Sequence, residues 1–158
     1  MSLTIEQLER FAGERAHSPE RWQHLVRNAS EARVYEQIWD DGDVNAWVIC
    51  WCEGQDTGFH DHDESAAGIA VIRGEVCEQR LRLGAPPQTR VFGPGSTFGV
   101  PAVAIHRVLH SGDAPAVTIH AYSPPLVRTG AYRTGPGGEL EREVLSIEHE
   151  LRAEPALG

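Results

Sequence analysis

The sequence lacks the features that mark membrane and secreted proteins. No run of about 18 apolar residues occurs in its 158 residues, so no transmembrane helix is expected. The first ten residues carry charges where the apolar part of a secretory signal would lie, and no cleavage site follows them. We therefore expect a cytoplasmic protein with no membrane partner.

Positive charge and cysteine are also scarce. The chain has 14 Lys and Arg residues against 23 Asp and Glu, a net charge of −9, and no basic cluster. Because phosphate binding depends on clustered cations, nucleic acid is not an expected partner. The three cysteines, Cys50, Cys52 and Cys77, have no CxxC spacing, so neither a disulfide framework nor a cysteine zinc site is predicted. No obligate protein partner is indicated.

Histidine, in contrast, is abundant, with eight residues in a chain that is 41% hydrophobic. A chain of this length buries about two-thirds of its unfolded surface in one core, so disulfides are not needed for stability. We predict a single domain over residues 1–158, with a helical cap over about residues 1–30 and a β-structured body over about residues 33–150. Five histidines lie in the middle of the chain: His60, His62, His106, His110 and His120.

Two short helices are predicted in the first thirty residues. Thr4 and Gln7 have the spacing of a capping box, and the apolar residues that follow recur at helical intervals. Ser18 and Pro19 then supply an N-cap and a first-turn proline for a second helix. We expect both helices to pack outside the β-structured body.

From about residue 33 the periodicity becomes that of β-strands. Short runs rich in β-branched and aromatic residues alternate with clusters of Gly, Pro and Asp. This spacing predicts a mainly β protein, either a compact antiparallel barrel or a sandwich. The last alternating segment, residues 141–150, fits an edge strand.

The strongest local motif is GQDTGFHDH, residues 54–62. His60 and His62 are two residues apart, so on a strand both side chains lie on one face and can reach a single ion. Imidazole binds Zn, Cu, Fe and Ni, and the pair therefore identifies no metal. An isolated pair of this kind also fits a histidine-rich surface loop.

A second motif lies downstream, where Gly95 and Pro101 precede His106 on a β-rich run. Together the two motifs resemble those of the cupin superfamily, whose small β-barrels bind a metal in the interior. The residues that match the first cupin motif are Gly54, His60, His62 and Gly74. The resemblance implies a jelly-roll-like antiparallel barrel in which His60, His62 and His106 are the metal ligands.

The main departure from the cupin pattern is Ala67, which occupies the position of the carboxylate ligand that most metal cupins keep. Three neutral imidazoles leave the charge of a divalent ion without compensation from the protein, which favours an anionic ligand from the substrate. A thiolate is a suitable candidate, because metal coordination lowers the pKa of a thiol and sulfur binds Fe(II) well.

A narrower resemblance, over residues 45–126, is to the thiol dioxygenases typified by cysteine dioxygenase. The segments that carry it are Cys50-Trp51, HDH at 60–62, IHRV at 105–108 and AVTIHAYSPPL at 116–126. The resemblance implies one mononuclear non-haem Fe(II) and conversion of a small thiol to its sulfinic acid with O₂. Cysteine or a related mercapto acid is the implied substrate, and Ni or Zn can also occupy such a site in a purified sample.

The last of these segments contains a file of polar side chains, Thr118, His120 and Tyr122, on one face of a strand. A buried polar file is costly unless its members are hydrogen-bonded, and satisfied core residues would be an alternative explanation. The resemblance implies that the Tyr122 hydroxyl lies beside metal-bound oxygen, oriented by His120 and Thr118. Mammalian members link this tyrosine to a cysteine that aligns with Ala67, so that crosslink is excluded here.

Two arginines are candidates for holding a substrate carboxylate. Relatives that act on cysteine place an arginine before the metal-binding strands, where Arg33 lies, and Arg128 follows the Ser-Pro-Pro turn. A guanidinium is the natural bidentate partner of a carboxylate, although either residue also fits a solvated surface position. Arg107 alternates away from His106 and is interpreted as structural, and the role of His110 stays open.

The competing hypothesis is a non-catalytic or non-redox cupin, in which the three histidines hold Ni, Zn or Mn and the protein binds a small ligand. The polar file from Thr118 to Tyr122 separates the two hypotheses, since a binding protein has no need of it.

Overall fold

The computed structural model describes residues 1–147, which form one α-helix, two short 3₁₀ turns and eleven β-strands. The helix α1 spans Ile5–Ala16. The strands are β1 Val34–Asp40, β2 Asn45–Trp51, β3 His60–Asp61, β4 Ala66–Arg73, β5 Glu75–Arg82, β6 Ala85–Phe92, β7 Thr97–Val100, β8 His106–Ser111, β9 Ala116–Ser123, β10 Arg128–Thr134 and β11 Leu140–Ser146.

The strands form two antiparallel sheets that face each other. One sheet has the order β1-β2-β9-β4-β7, and the other has the order β11-β10-β3-β8-β5-β6. From β2 to β5 the chain changes sheet at every step, and it does so again from β6 to β10. Most consecutive strands therefore lie across the core from each other, as in a jelly roll.

The mainly β prediction is confirmed, but the predicted closed barrel is wrong. Among residues 1–147, no ladder joins the outer strands β1 and β7 of the first sheet to the outer strands β11 and β6 of the second. Period-two alternation requires only that each apolar face be buried, and two packed sheets bury it as well as a barrel does. Edge-to-edge closure is a separate condition that the alternation does not encode.

The two faces of the five-stranded sheet bury different cores. Trp47, Ile49 and Trp51 of β2 face the second sheet, together with Tyr122 of β9. On the outer face, Ile119 of β9 joins a second cluster that α1 covers. The predicted alternation of β9 is therefore confirmed, and it places the polar file between the sheets.

The first predicted helix is confirmed, with both hydrogen bonds of the Thr4 and Gln7 capping box in place. Leu8 and Ala12 are buried against the outer face of the sheet. Gly68 of β4 makes this packing possible, because a Cβ on this residue would lie 2.3 Å from the backbone carbonyl carbon of Leu8. The helix axis can approach the sheet only where the strand has no side chain.

The second predicted helix is wrong, since its place is taken by 3₁₀ turns at Pro19–Arg21 and Gln23–Leu25. The Ser18 hydroxyl donates to the carbonyl of Glu14 instead of capping the next turn. The apolar residues here occupy too few turns for a stable α-helix, because nucleation is costly and short helices depend on packing.

The last predicted strand, residues 141–150, is confirmed over residues 141–146, which lie in the edge strand β11 and pair with β10. The single-domain organisation stays a prediction, and positions 148–158, which include His149, lie outside the described residues. None of the described helices has the length and apolar character needed to cross a bilayer.

Candidate metal centre

The pairing of β3 with β8 brings the two histidine motifs together. His60 lies directly opposite His106 in this antiparallel ladder. His62 comes one residue after β3 ends, two positions beyond His60, and points to the same side. All three imidazoles are buried in the space between the sheets.

The three Nε2 atoms converge on one point. His62 Nε2 lies 3.2 Å from His60 Nε2 and 3.3 Å from His106 Nε2. Metal–nitrogen bonds of about 2.0–2.1 Å hold three ligands of a tetrahedral or octahedral ion about 3.0–3.4 Å apart. The spacing of the nitrogens therefore fits one ion, and no other group of His, Cys, Asp or Glu with this geometry is found within residues 1–147.

The other ring nitrogens show which tautomers present Nε2 to that point. His60 Nδ1 lies 3.0 Å from the Gly58 carbonyl, which can only accept, so Nδ1 carries the proton. His106 Nδ1 lies 2.8 Å from Glu78 Oε2. His62 Nδ1 is buried and has no hydrogen-bond partner among the described residues. Two of the three rings are thus oriented by a specific acceptor.

Burial keeps the His62 and His106 imidazoles uncharged. The pKa values of His62 and His106 lie well below the usual range, first because burial penalises the charged form and then because neighbouring histidines repel a second charge. Neutral imidazole is the form that binds a metal, so these two donors are ready for a divalent ion at neutral pH.

The polar file of β9 forms a continuous hydrogen-bonded chain. His120 Nε2 lies 2.9 Å from Thr118 Oγ1, and the Tyr122 hydroxyl lies 3.3 Å from His120 Nδ1. The chain begins at Trp51, whose indole N–H donates to Thr118 Oγ1 at 2.9 Å. Burial, with the nearby His60 and Arg33, lowers the pKa of His120 to about 3, so this imidazole is neutral.

Tyr122 ends the chain beside the histidines. Its ring packs edge-on against His62, with the ring centroids 5.0 Å apart. Ala67 lies directly opposite Tyr122 in the β4–β9 ladder. The residue that takes the place of the crosslinking cysteine is therefore next to the tyrosine, and its methyl group offers no sulfur for a bond.

A small cavity opens beside His60 and His106. Arg33 and Tyr122 are among its polar lining residues, and none of the residues that line it is acidic. Arg33 is buried, its Nη1 donates to the Asp56 carbonyl at 2.5 Å, and its guanidinium lies 5.3 Å from the Trp51 ring centroid. The cavity thus combines the imidazole nitrogens with one fixed positive charge.

The other residues considered in the sequence lie outside this cavity. Arg128 is exposed and pairs with Asp63 at 2.7 Å. Arg107 pairs with Asp56, as expected of a structural residue. His110 Nε2 donates to the Ala114 carbonyl at 2.7 Å and is remote from the three convergent nitrogens. Of the two candidate arginines, only Arg33 is brought to the site.

Three residues near the site were missed by the sequence reasoning. Trp51 was named only within a matching segment and given no role at the site, and Glu78 was not considered. Asp61, between His60 and His62, accepts from Arg142 Nε at 2.9 Å and from the Tyr132 hydroxyl at 2.5 Å. Burial raises the pKa of Asp61, but these hydrogen bonds outweigh it and the net pKa is well below the usual range. Asp61 thereby ties β3 to β10 and β11 from the side opposite the histidines.

Two comparisons with known sequences indicate one family. The family model described as cysteine dioxygenase type I matches residues 4–134. Cysteine dioxygenase type 1 of Danio rerio is 26% identical over an alignment of 148 positions, which covers 85% of this chain and 73% of the fish protein.

Two solved structures are similar in fold. The protein TT1209 of Thermus thermophilus has a TM-score of 0.58 at 20% identity, over 65% of this chain and 93% of its own. A Klebsiella pneumoniae protein described as having a double-stranded β-helix domain has a TM-score of 0.57 at 19% identity, over 65% of this chain and 80% of its own. At these identities they show the fold alone, which is the cupin-type double-stranded β-helix.

Proposed function

We propose, from the premise that this chain belongs to the cysteine dioxygenase type I family, that it is an Fe(II)-dependent thiol dioxygenase. The reaction adds both atoms of O₂ to a small thiol, RSH, and gives the sulfinic acid, RSO₂H. The convergence of three Nε2 atoms beside a cavity that also holds the Tyr122 chain and Arg33 is the observation that carries the proposal.

His60, His62 and His106 would hold the ion. Iron(II) bound there would supply the redox chemistry that joins a thiolate to O₂. Imidazole also binds Ni and Zn, and either metal can occupy the site without supporting oxidation. Imidazole ligands bring no negative charge to the ion, so an anionic substrate is favoured at this centre.

Arg33 would hold the carboxylate of the substrate. Its guanidinium is fixed by the Asp56 carbonyl and lies in a cavity without an acidic lining residue. Bidentate pairing to a carboxylate places the thiol at a set distance from the imidazole nitrogens. A mercapto acid such as cysteine is therefore favoured over a thiol without a carboxylate.

Tyr122 would donate a hydrogen bond to the reacting oxygen or to the substrate. Because the indole of Trp51 can only donate, Thr118 Oγ1 accepts from it and can donate its own proton to His120 Nε2. His120 then carries its proton on Nδ1 and donates it to the Tyr122 oxygen. In this direction the phenolic proton points away from His120, toward the cavity.

Oxygen uptake tests the proposal. Protein loaded anaerobically with Fe(II) is expected to consume O₂ only when a thiol is added, with the sulfinate identified by mass spectrometry. Cysteine, 3-mercaptopropionate, mercaptosuccinate and cysteamine form the substrate panel, and cysteamine, which has no carboxylate, is expected to be the poorest. Metal analysis of the same sample accompanies the assay.

Two variants and a matched control sharpen the test. His106→Ala is expected to abolish both metal retention and O₂ uptake, whereas Tyr122→Phe is expected to keep the metal and lower kcat. His110→Ala removes an imidazole from the same strand as His106 and is expected to change neither. Metal binding without uptake for any thiol would favour the non-redox cupin hypothesis instead.

The site would use a small-molecule thiol and O₂ as its partners. A cytoplasmic location remains a prediction from the sequence.

A further inference from the structure

A carboxylate outside the proposed ligand set lies directly behind His106. Glu78 of β5 is only 1% exposed, and its Oε2 is 2.8 Å from His106 Nδ1. In the β5–β8 ladder Glu78 is opposite Val108, and Arg80 is opposite His106. Glu78 and His106 are therefore diagonal neighbours on the same face of the sheet, within reach of each other's side chains.

Two arginines hold the Glu78 carboxylate in place. Arg80 Nη2 donates to Oε1 at 3.1 Å and to Oε2 at 2.9 Å, and it also donates to the Gly99 carbonyl at 2.9 Å. Arg90 Nη2 donates to Oε1 at 3.3 Å. A carboxylate held by guanidinium groups is a hydrogen-bond acceptor only, so the shared proton belongs to His106 Nδ1.

We propose that Glu78 is a positioning residue that fixes His106 as the Nδ1–H tautomer and aims its Nε2 at the metal centre. A buried imidazole without such an acceptor can carry its proton on either nitrogen, and a proton on Nε2 blocks metal binding. Partners of this kind commonly change metal affinity about 10- to 100-fold. The other two ligands have weaker support, since His60 Nδ1 donates to a neutral carbonyl and His62 Nδ1 has no partner among the described residues.

Glu78 differs in role from the carboxylate ligand that is missing at Ala67. Ala67 offers no anionic ligand, and Glu78 contacts only the far nitrogen of the His106 ring, Nδ1, so it stays outside the ligand set. The open coordination positions are left for substrate, while the ligand that touches Glu78 becomes a stronger donor. The inference rests on the proposed metal centre, but it is independent of the thiol and of the oxidation step.

The tautomer can be measured directly in metal-free protein. The ¹⁵N NMR shifts of the two ring nitrogens distinguish a protonated from an unprotonated site. In the wild type we expect His106 to carry its proton on Nδ1, and in Glu78→Ala we expect the Nε2–H form to become populated. A wild-type His106 protonated on Nε2 would overturn the proposal, even if Glu78→Ala failed to fold.

Zn²⁺ affinity, measured by competition with a chelator, provides the second test. Glu78→Ala is expected to bind Zn²⁺ about 10- to 100-fold more weakly than the wild type. Glu78→Gln keeps an amide oxygen that can accept from Nδ1–H, so it is expected to retain the wild-type tautomer and recover most of the lost affinity. A folded Glu78→Gln protein that binds no better than Glu78→Ala would contradict the orienting role.

Glu75→Gln is the matched control. Glu75 is a carboxylate on the same strand as Glu78, but it accepts from Ser111 Oγ at 2.6 Å and not from one of the three histidines. The Glu75→Gln variant is expected to leave Zn²⁺ affinity and the His106 tautomer unchanged. If folded Glu78→Ala bound Zn²⁺ as tightly as the wild type, the positioning role of Glu78 would be refuted, but the metal centre would not. Failure of the wild type to bind Zn²⁺, with the Nδ1–H tautomer intact, would instead refute the metal centre.

Discussion

Replacing Thr118 with valine tests whether the polar file depends on one buried hydroxyl. Thr118 is fully buried, and its Oγ1 lies 2.9 Å from both Trp51 Nε1 and His120 Nε2. Valine has almost the same shape but no oxygen. The substitution therefore leaves two buried nitrogen atoms without their partner while changing little else in the packing.

The expected loss of stability follows from those two atoms. A buried polar group that loses its partner costs about 1–3 kcal/mol, so Thr118→Val should lower the free energy of unfolding by about 2–6 kcal/mol. Trp51→Phe removes one of the two orphaned nitrogens. In the double variant only the nitrogen of His120 is left without a partner, so the two effects should be less than additive by about 1–3 kcal/mol.

Urea unfolding of the four proteins, followed by circular dichroism, measures this coupling. Thr129→Val is the matched control, because Thr129 is also fully buried but its hydroxyl has no partner among the described residues. Thr129→Val should lower the free energy of unfolding much less than Thr118→Val does. If the losses in unfolding free energy for Thr118→Val and Trp51→Phe were additive within about 0.5 kcal/mol, the hydrogen bond between Trp51 and the Thr118 hydroxyl would be refuted. We also expect Thr118→Val to lower kcat with the metal retained, since His120 loses its anchor.

Three further predictions concern the substrate, the helix and pH. Arg33→Lys should lower kcat/KM for mercapto acids about 10- to 100-fold, by loss of about 1.5–3 kcal/mol of charged hydrogen bonding, while cysteamine oxidation changes little. Gly68→Ala should lower the free energy of unfolding by about 1–3 kcal/mol or more, because its Cβ would meet the α1 backbone, whereas Gly93→Ala, which meets nothing within 4 Å, should be tolerated. His62, His106 and His120, whose pKa values are lowered in the folded protein, bind protons only on unfolding. Stability of metal-free protein should therefore be complete above about pH 6.5 and fall as the pH drops toward 3, by up to about 4 kcal/mol per pH unit for three protons. A flat dependence of urea midpoints between pH 7 and 5 would contradict this.

The elements that the sequence predicted correctly are those with a local physical signal. The capping box at Thr4 and Gln7 contains both of its hydrogen bonds within four residues, so it needs no tertiary information. The alternation from Thr118 to Tyr122 is equally local, because the pleat alone places alternate side chains on one face. Convergence of the two histidine motifs was predicted only through the resemblance to cupins, since 44 residues separate His62 from His106.

The incorrect predictions concern features that depend on interactions with other parts of the chain, which a local sequence pattern does not show. Ser18 and Pro19 permit a helix, but the Ser18 hydroxyl donates to the carbonyl of Glu14 in the preceding helix instead. Barrel closure depends on whether outer strands meet, and the outward alternation of β1 or β6 is the same in either case. Arg33 and Arg128 look alike in the sequence, and only the packing of residues 26–33 against Gln55 and Asp56 brings the first of them into the cavity.

Glu78 illustrates why a residue beside the site could not be found from the sequence. Val76, Glu78 and Arg80 alternate along β5, and Val76 is part of the core, so the pattern already placed a carboxylate on a buried face. A carboxylate on a buried face needs a cation or a hydrogen-bond donor. Arg80, two residues further along the same strand, already provides both. The sequence of β5 therefore gave no reason to look for a further partner of Glu78, such as His106. Only the register of β5 against β8, which sets Arg80 opposite His106, shows that the carboxylate has a second partner and that this partner is a proposed metal ligand.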